Sequence, residues 1–258
     1  MTGSTNLIIT GDDFGRSSLV NEAVQRDFEA GLLEQANLMV TGRAVDEALR
    51  IAKRNPTLGI GLHLTLCLGK ATERSSITNA ERDLSGRPLT ASLAYMFRRT
   101  LWPSLQREIC SQFERFRALD LGTDYWDGHC HLHLHPKILG FTLNITANFP
   151  FLRLVYEPKP VHFVGVIFNA LSRAAQIKLR SNAKSFADAV LGLGYSGRMG
   201  TGEFLKCLEK IPRGGLSEIY YHPGAEIKAL DVEQILIQIG RRNIALSSVR
   251  ALNLNSET

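Results

Sequence analysis

"DGHCHLHLHP", residues Asp127–Pro136, decides how the chain is read. It places four of the seven histidines at alternate positions: His129, His131, His133 and His135. Alternate residues on a β-strand share a face and lie about 7 Å apart along it. Metal–nitrogen bonds are only about 2 Å long. One or two of these imidazoles can therefore meet on a single small ion, and the remaining ligands must come from elsewhere. Pro136 suits the first position of a helix, and Ile138, Leu139, Phe141 and Leu143 follow it. The stretch predicts a strand end at "TDYWD" (Thr123–Asp127) that passes through a loop into a helix, one β-then-α unit.

The same unit recurs along the chain. Strands are predicted at Leu7–Thr10, Ala36–Val40, Leu58–Leu64 and Leu152–Tyr156, in "AVLGL" (189–193), in "SEIYYHPG" (217–224) and within "NIALSSVRAL" (243–252). Between them fall a helix capped by Ser17 or Ser18 and running to about Phe28, then helices at 44–54 and Leu105–Leu119. Further helices follow Pro136 and lie near Glu203–Lys210 and Val232–Arg241. This alternation predicts an α/β fold with a parallel sheet closed or nearly closed by helices. A chain of 258 residues, 44% hydrophobic and 21% charged, suits one barrel domain over residues 1–258. Segments of about 70–105 and 158–185 read as insertions.

Bulk features narrow the class. Cys67, Cys110, Cys130 and Cys207 form no C-x-x-C pair, so reduced thiols in a cytoplasmic protein are expected. The N-terminus "MTGSTNLIITGDDFG" has neither the basic nor the apolar region of a signal peptide. No apolar run approaches the ~18 residues of a spanning helix. The net charge of +5 and pI near 9.1 permit attraction to an acidic surface. The charges are scattered, however, and no nucleic-acid motif is present. Oligomeric state is not legible.

Polar residues recur at strand ends. Asp12 and Asp13 follow the first strand, His63 ends the third, Asp127 and His129 end another, and His222 ends "EIYYH". The C-terminal strand ends of a parallel barrel converge on one face. Two histidines and one carboxylate make a metal site with open positions; Asp13, His63 and His129 are the predicted ligands. Asp12 is then the general base, His222 the acid that protonates a leaving amine, and Asp127 the group that orients a histidine. Each has a bland counterpart. "GDDFG" reads equally as a turn, His63 as a hydrogen-bonded core histidine, and "HLHLHP" as a polar face. Their joint placement favours a site. One divalent ion is expected, zinc or magnesium first, with manganese, iron, cobalt and nickel also compatible with the donor set.

"LIITGDDFG", "GIGLHLTL", "YWDGHCHLHLHP" and "EIYYHPG", in that order, resemble the YdjC-like carbohydrate deacetylases. "YEPKP", "GLGYSGRMG" and "IPRGGLSEIYYHPG" resemble the hopanoid-biosynthesis-associated branch. The resemblance implies a distorted TIM-like βα barrel and a divalent metal on Asp13, His63 and His129, with Asp12 as base and His222 as the "HP" histidine. His131 and His133 would line or brace the pocket, and His135 would start the helix. It also implies an N-acetylated amino-sugar substrate, lipid-linked as in an N-acetylglucosaminyl hopanoid. The alternatives are a soluble chitooligosaccharide or diacetylchitobiose deacetylase, or another metal-dependent hydrolase such as an amidohydrolase or phosphoesterase. A non-catalytic binding protein is disfavoured, because binding needs neither Asp12 nor His222. The chain departs from the family at Gly11, usually Ala, and at Cys130, often Lys, Gln or His. The segment after His222 is also shorter than usual.

Two segments fall outside the barrel pattern. Leu93–Arg107 carries Phe97, Leu101 and Trp102 with Arg98 and Arg99, and Val161–Arg180 is apolar and then basic. Such mixtures suit peripheral contact with a membrane, here the inner face. They equally suit barrel helices facing a core.

Overall fold

The computed structural model describes residues 4–122, 125–160, 162–182, 184–224 and 229–254. Eight parallel strands alternate with helices: β1 (Thr5–Phe14), α1 (Ser18–Glu29), β2 (Gln35–Leu38), α2 (Val45–Arg54), β3 (Gly59–Leu64), α3 (Pro88–Phe97), α4 (Trp102–Arg117), β4 (Tyr125–Gly128), α5 (Pro136–Ile145), β5 (Phe151–Leu152), α6 (Phe163–Ser181), β6 (Ala189–Leu191), α7 (Thr201–Glu209), β7 (Gly215–Tyr221), α8 (Val232–Arg241), β8 (Ile244–Leu246) and α9 (Val249–Leu254). The sheet runs β5-β4-β3-β2-β1-β7-β6. On one edge of β1, β8 pairs with Thr5–Leu7, and β2 pairs from Thr10 onward.

The sheet curls into a distorted TIM-like half-barrel with helices around it. Its two end strands are bridged at Ser185. The Ser185 N–H donates to Pro150 O at 2.7 Å, and the Leu152 N–H donates to Ser185 O at 3.1 Å. The strand predicted at Leu152–Tyr156 is cut to Phe151–Leu152, because its ladder with β4 ends at the Trp126–Leu152 pair. Beyond it the ladder is replaced by single contacts such as Val190 N–H to Tyr156 O at 2.9 Å. Thr123 and Asp124, the first residues of another predicted strand, lie outside the described residues, as do Val161 and residues 225–228 after His222.

Local chemistry accounts for the helices. Ser17 caps α1 by accepting from the Val20 N–H. Asp46 and Glu47 open α2, and Lys53 and Arg54 close it, in keeping with the helix dipole. Pro136 opens α5, and His135 Nδ1 accepts from the Lys137 N–H at 3.3 Å, so His135 is that helix's cap. α3 and α6 lie in the β3–β4 and β5–β6 connections. Trp102 packs edge-on against Phe141, ring centroids 5.9 Å apart, so it faces the protein and not a bilayer. Among the described residues no helix is long and apolar enough to cross a membrane.

Strand side chains alternate between two environments. Leu7 and Ile9 of β1, Leu62 and Leu64 of β3, and Ile219 and Tyr221 of β7 point outward into the shell of helices. Ile8, Tyr125, Phe151, Val190 and Tyr220 point inward, where Val249 of α9 packs against them. The same inward parity continues along each strand to Asp12, His63, Asp127 and Glu218, and just past β5 to Arg153. A Cβ at Gly61 would stand 2.4 Å from a Tyr125 ring carbon and 2.6 Å from Asn37 Oδ1. Only glycine fits there, one residue pair below His63.

Candidate metal centre

An inward strand position, His63, meets two residues brought in by irregular backbone: Asp13 at the register shift of β1 and His129 just past β4. Asp13 Oδ1 lies 3.0 Å from His129 Nδ1 and 3.4 Å from His63 Nε2, and the two nitrogens are 3.2 Å apart. Ligands bonded to one ion at about 2.0–2.2 Å stand roughly 3.0–3.5 Å from each other, so this triangle has the size a divalent ion requires. Asp13 Oδ2 is taken by Arg16 at 2.6 Å. Asp13 Oδ1 is buried with no well-directed hydrogen bond. The donor set fits a divalent cation.

The electrostatics point the same way. Burial favours neutral imidazoles, yet the carboxylates prevail over it. Asp127 and Asp12 hold His63 well above the usual imidazole value, and the Asp13 carboxylate beside it raises His129 to about 9. Burial likewise pushes Asp13 up, but His129 and His63 bring it well below the usual carboxylate range. A cluster that draws protons onto buried imidazoles offers the same field to a metal ion.

His63 is aimed by Asp127, whose Oδ1 lies 2.7 Å from His63 Nδ1 and leaves Nε2 facing the triangle. This is the outer carboxylate that steadies a ligating imidazole. Asp127→Ala is expected to weaken zinc affinity about 10–100-fold, read by calorimetric titration of the metal-stripped protein. Affinity equal to wild type would remove Asp127 from this role.

The backbone at the ligands is unusual. Asp13, Cys130 and His131 have φ of 66°, 53° and 56°, in the left-handed region, which costs L-residues about 1–2 kcal/mol each. The histidine run is a short 3-10 stretch (His129–Leu134) kinked at Cys130 and His131, not a strand face. The kink sends successive imidazoles in different directions. His131 Nε2 lies 2.9 Å from the Tyr220 hydroxyl. His133 Nε2 meets Arg153 O at 2.9 Å, so it braces the chain. Burial lowers the pKa of both, His133 to about 4.

Asp12, His63, His129, His131 and His222 line a cavity of about 180 Å³ whose apolar wall is Phe168 and Leu193. Asp13 and His222 also border an open cleft of about 680 Å³ with Arg16, Arg43 and Lys70 on its rim. Burial lowers the His222 pKa, opposed by Asp12 and Asp13, and its Nδ1 is buried without a partner. Cys130 lies on the wall of the smaller cavity. At Gly11 a Cβ would stand 2.7 Å from Leu33 Cδ1 and 2.9 Å from Pro223 Cγ, so alanine there requires both side chains to shift.

Three residues not predicted from the sequence complete the cluster. Arg153 is fully buried. Its Nη1 and Nη2 donate to Asp12 Oδ2 and Oδ1 at 2.7 and 3.0 Å, and Nη1 also donates to Asp127. Nε and Nη2 donate to Glu218 Oε1 at 3.0 and 2.8 Å, and the guanidinium lies 4.5 Å over the Tyr220 ring. Asn37 Nδ2 donates to Asp12 Oδ1 at 3.1 Å. The available signal was a charged residue inside an apolar strand, in "FLRLVY" and again in "SEIYY".

Fold and site together define a distorted TIM-like α/β barrel with a buried carboxylate–histidine cluster, of a size that suits a divalent ion, at the C-terminal strand ends. The chain belongs to the YdjC-like protein family, whose model matches residues 6–248. It is 33% identical over 217 residues to a carbohydrate deacetylase of Geobacillus stearothermophilus, covering 84% of this chain and 78% of the relative. It is 28% identical over 146 residues to a chitooligosaccharide deacetylase of Salmonella dublin, covering 55% and 56%, so that match spans about half of each chain. A crystal structure from Enterococcus faecalis V583, named for cellobiose-phosphate cleavage, superposes with a TM-score of 0.73. It is 20% identical and covers 97% of this chain and 99% of its own. That likeness concerns the fold.

Proposed function

We propose that this protein is a metal-dependent hydrolase that removes the N-acetyl group from an N-acetylglucosamine-type sugar. The observation that carries the reading is the convergence of Asp13, His63 and His129, with Asp12 and His222 on the walls of the same cavity. Named carbohydrate deacetylases among the relatives support the amide-hydrolase class.

A divalent ion held by Asp13, His63 and His129 would supply Lewis acidity toward the acetyl carbonyl and the attacking water. The other steps belong to the chain. Asp12 takes the proton of the attacking water. A carboxylate offers about four acceptor sites; Arg153 and Asn37 occupy three, which leaves one for the water. Arg153 holds the Asp12 carboxylate in one plane. His222, on the wall of the same cavity as Asp12, donates a proton to the departing amine. The products are acetate and a free amino sugar.

The finer reading is a lipid-linked sugar, such as an N-acetylglucosaminyl hopanoid. The apolar wall of Phe168 and Leu193 supports it, because Leu193 also borders a second cavity of about 250 Å³ with Val164 and Gly165. A second reading, a free chito-oligosaccharide, draws support from the open polar cleft beside Asp13. Acetate release from N-acetylglucosaminyl hopanoid and from diacetylchitobiose, on chelated and metal-restored protein, decides between them. Metal-dependent release from neither would overturn the deacetylase reading. His63→Ala and His129→Ala are each expected to lower bound metal to near zero by elemental analysis. Full metal content in either would sink that ligand.

A further inference from the structure

The exposed large hydrophobic residues are not spread over the molecule. Eleven are found among the described residues, and nine belong to the face where the strands end. Leu19 stands at the start of α1 and Leu68 follows β3. Leu89, Leu93 and Phe97 belong to α3, and Phe163, Val164, Val166 and Ile167 to the first turns of α6. In a barrel of parallel strands, C-terminal strand ends and the starts of the following helices share one side. Both α3 and α6 pack against the His129–Leu134 stretch that carries a metal ligand. Phe97 is 72% exposed and Phe163 79%. A soluble surface leaves such side chains scattered singly, and a group of them beside a site mouth marks an interaction surface.

The charge along the α3 and α6 segments has one sign, while Asp83 lies in the cleft beside Leu19 and Leu68. Residues 87–107 and 158–187 hold nine of the chain's 30 lysines and arginines and none of its 25 carboxylates. The scatter of charge is therefore uneven, and the rest of the chain is net acidic. Arg87 precedes α3, exposed Arg98 and Arg99 follow Phe97, and exposed Lys159 precedes α6. Lys178 and Arg180 lie in the last turn of α6, beyond the mouth face, and Lys184 turns inward to the carbonyls of Thr146, Ala147 and Phe149.

We propose that the mouth face docks on an anionic lipid bilayer, with the exposed apolar faces of α3 and early α6 entering the headgroup boundary. Apolar side chains interleaved with cations match that boundary in both respects. A second copy of the chain fits poorly, because a two-fold contact sets the same patch against itself and would oppose like charges. The apolar surface also continues into the site: Val164 borders the cavity shared with Leu193, and Leu193 with Phe168 walls the metal centre. A membrane-resident substrate would thus meet apolar side chains on both sides of Leu193, between the exposed start of α6 and the Asp13–His63–His129 cluster. This last point rests on the deacetylase reading, whereas the docking does not.

The test is flotation of the full chain with vesicles of phosphatidylcholine and with vesicles containing about one quarter phosphatidylglycerol. Acetate release from diacetylchitobiose and from N-acetylglucosaminyl hopanoid is measured on the same samples. Flotation with the anionic vesicles is expected, reduced about tenfold in apparent affinity by Arg98→Glu with Arg99→Glu and abolished by Phe97→Ser with Phe163→Ser. Added salt should weaken wild-type binding. No flotation on anionic vesicles, or flotation unchanged in both double variants, overturns the docking. So does a dimer, by light scattering, that these substitutions dissociate. Acetate release without flotation overturns the docking and leaves the reaction standing. Flotation without release from either substrate does the reverse.

Discussion

Arg153→Met is expected to cost the fold about 3–5 kcal/mol, the range for removing one partner of a buried ion pair. The size follows from what is left behind. Asp12, Asp127 and Glu218 all depend on this one guanidinium, and all four groups are buried. Methionine fills much of the arginine stem's volume, so the loss is of charge and hydrogen bonds more than of packing. Burial pushes the Asp127 pKa up, and it is chiefly Arg153, then His63, that brings it well below the usual carboxylate range. Without Arg153, the largest influence opposing burial at Asp127 is gone and its folded-state pKa rises. Relative to wild type, this removes stability that is present above the unfolded value and lost as the pH falls. The stability deficit should therefore shrink toward acid pH. Urea denaturation at two pH values measures both parts. A deficit under 1 kcal/mol, or one independent of pH, would show that Arg153 does not neutralise the cluster. Arg153→Lys is expected to rescue only partly, because an ammonium cannot make the paired contact with Asp12.

Asp12→Asn is expected to lower kcat about 10²–10⁴-fold while metal content stays at the wild-type level. The amide keeps one acceptor oxygen for Arg153 and nearly the same volume, so the pocket keeps its shape, but it cannot take a proton. Asp12 is not one of the three ligand atoms in the Asp13–His63–His129 triangle. The variant therefore separates proton transfer from metal binding, which His63→Ala does not. Elemental analysis and steady-state rates on one preparation give both readouts. Full turnover would remove Asp12 from the role of base. Loss of metal would favour the second cluster of donors, Asp12, His63 and Asp127, as the one that holds the ion.

Much of this architecture was legible in the sequence because the local signals were strong. Ser17 at the head of α1, Pro136 at the head of α5 and the apolar runs of β1, β3 and β7 act over a few residues, and the structure agrees with them. The ends of those runs also placed His63 and Asp127, whereas β1 continues beyond the predicted Thr10 to Phe14, so Asp12 and Asp13 lie within it and do not follow it. The bounds of β5 were not legible, since a strand paired along only Phe151–Leu152 is set by contacts distant in the chain. Arg153 was missed for the same reason. Its partners lie 141, 26 and 65 residues away, and no local spacing reports such a meeting. The histidine run reads as a loop between a strand end and a helix, as the structure has it, but the kink within it was not legible. The positive φ of Cys130 and His131 breaks the periodicity, and no residue in that run is a glycine that would have announced it.

The left-handed backbone at Asp13, Cys130 and His131 has a consequence for metal choice. Its strain is met when the chain folds, so an arriving ion finds its donors already placed and loses little affinity to ordering them. A fixed aperture sorts ions by radius. Calcium prefers six to eight oxygen donors at about 2.3–2.6 Å, and it would have to pry the triangle of Asp13, His63 and His129 apart against the surrounding packing. Smaller divalent ions, magnesium included, would enter without that work. Discrimination then lies in the stiffness of the peptide chain as much as in the identity of its donor atoms.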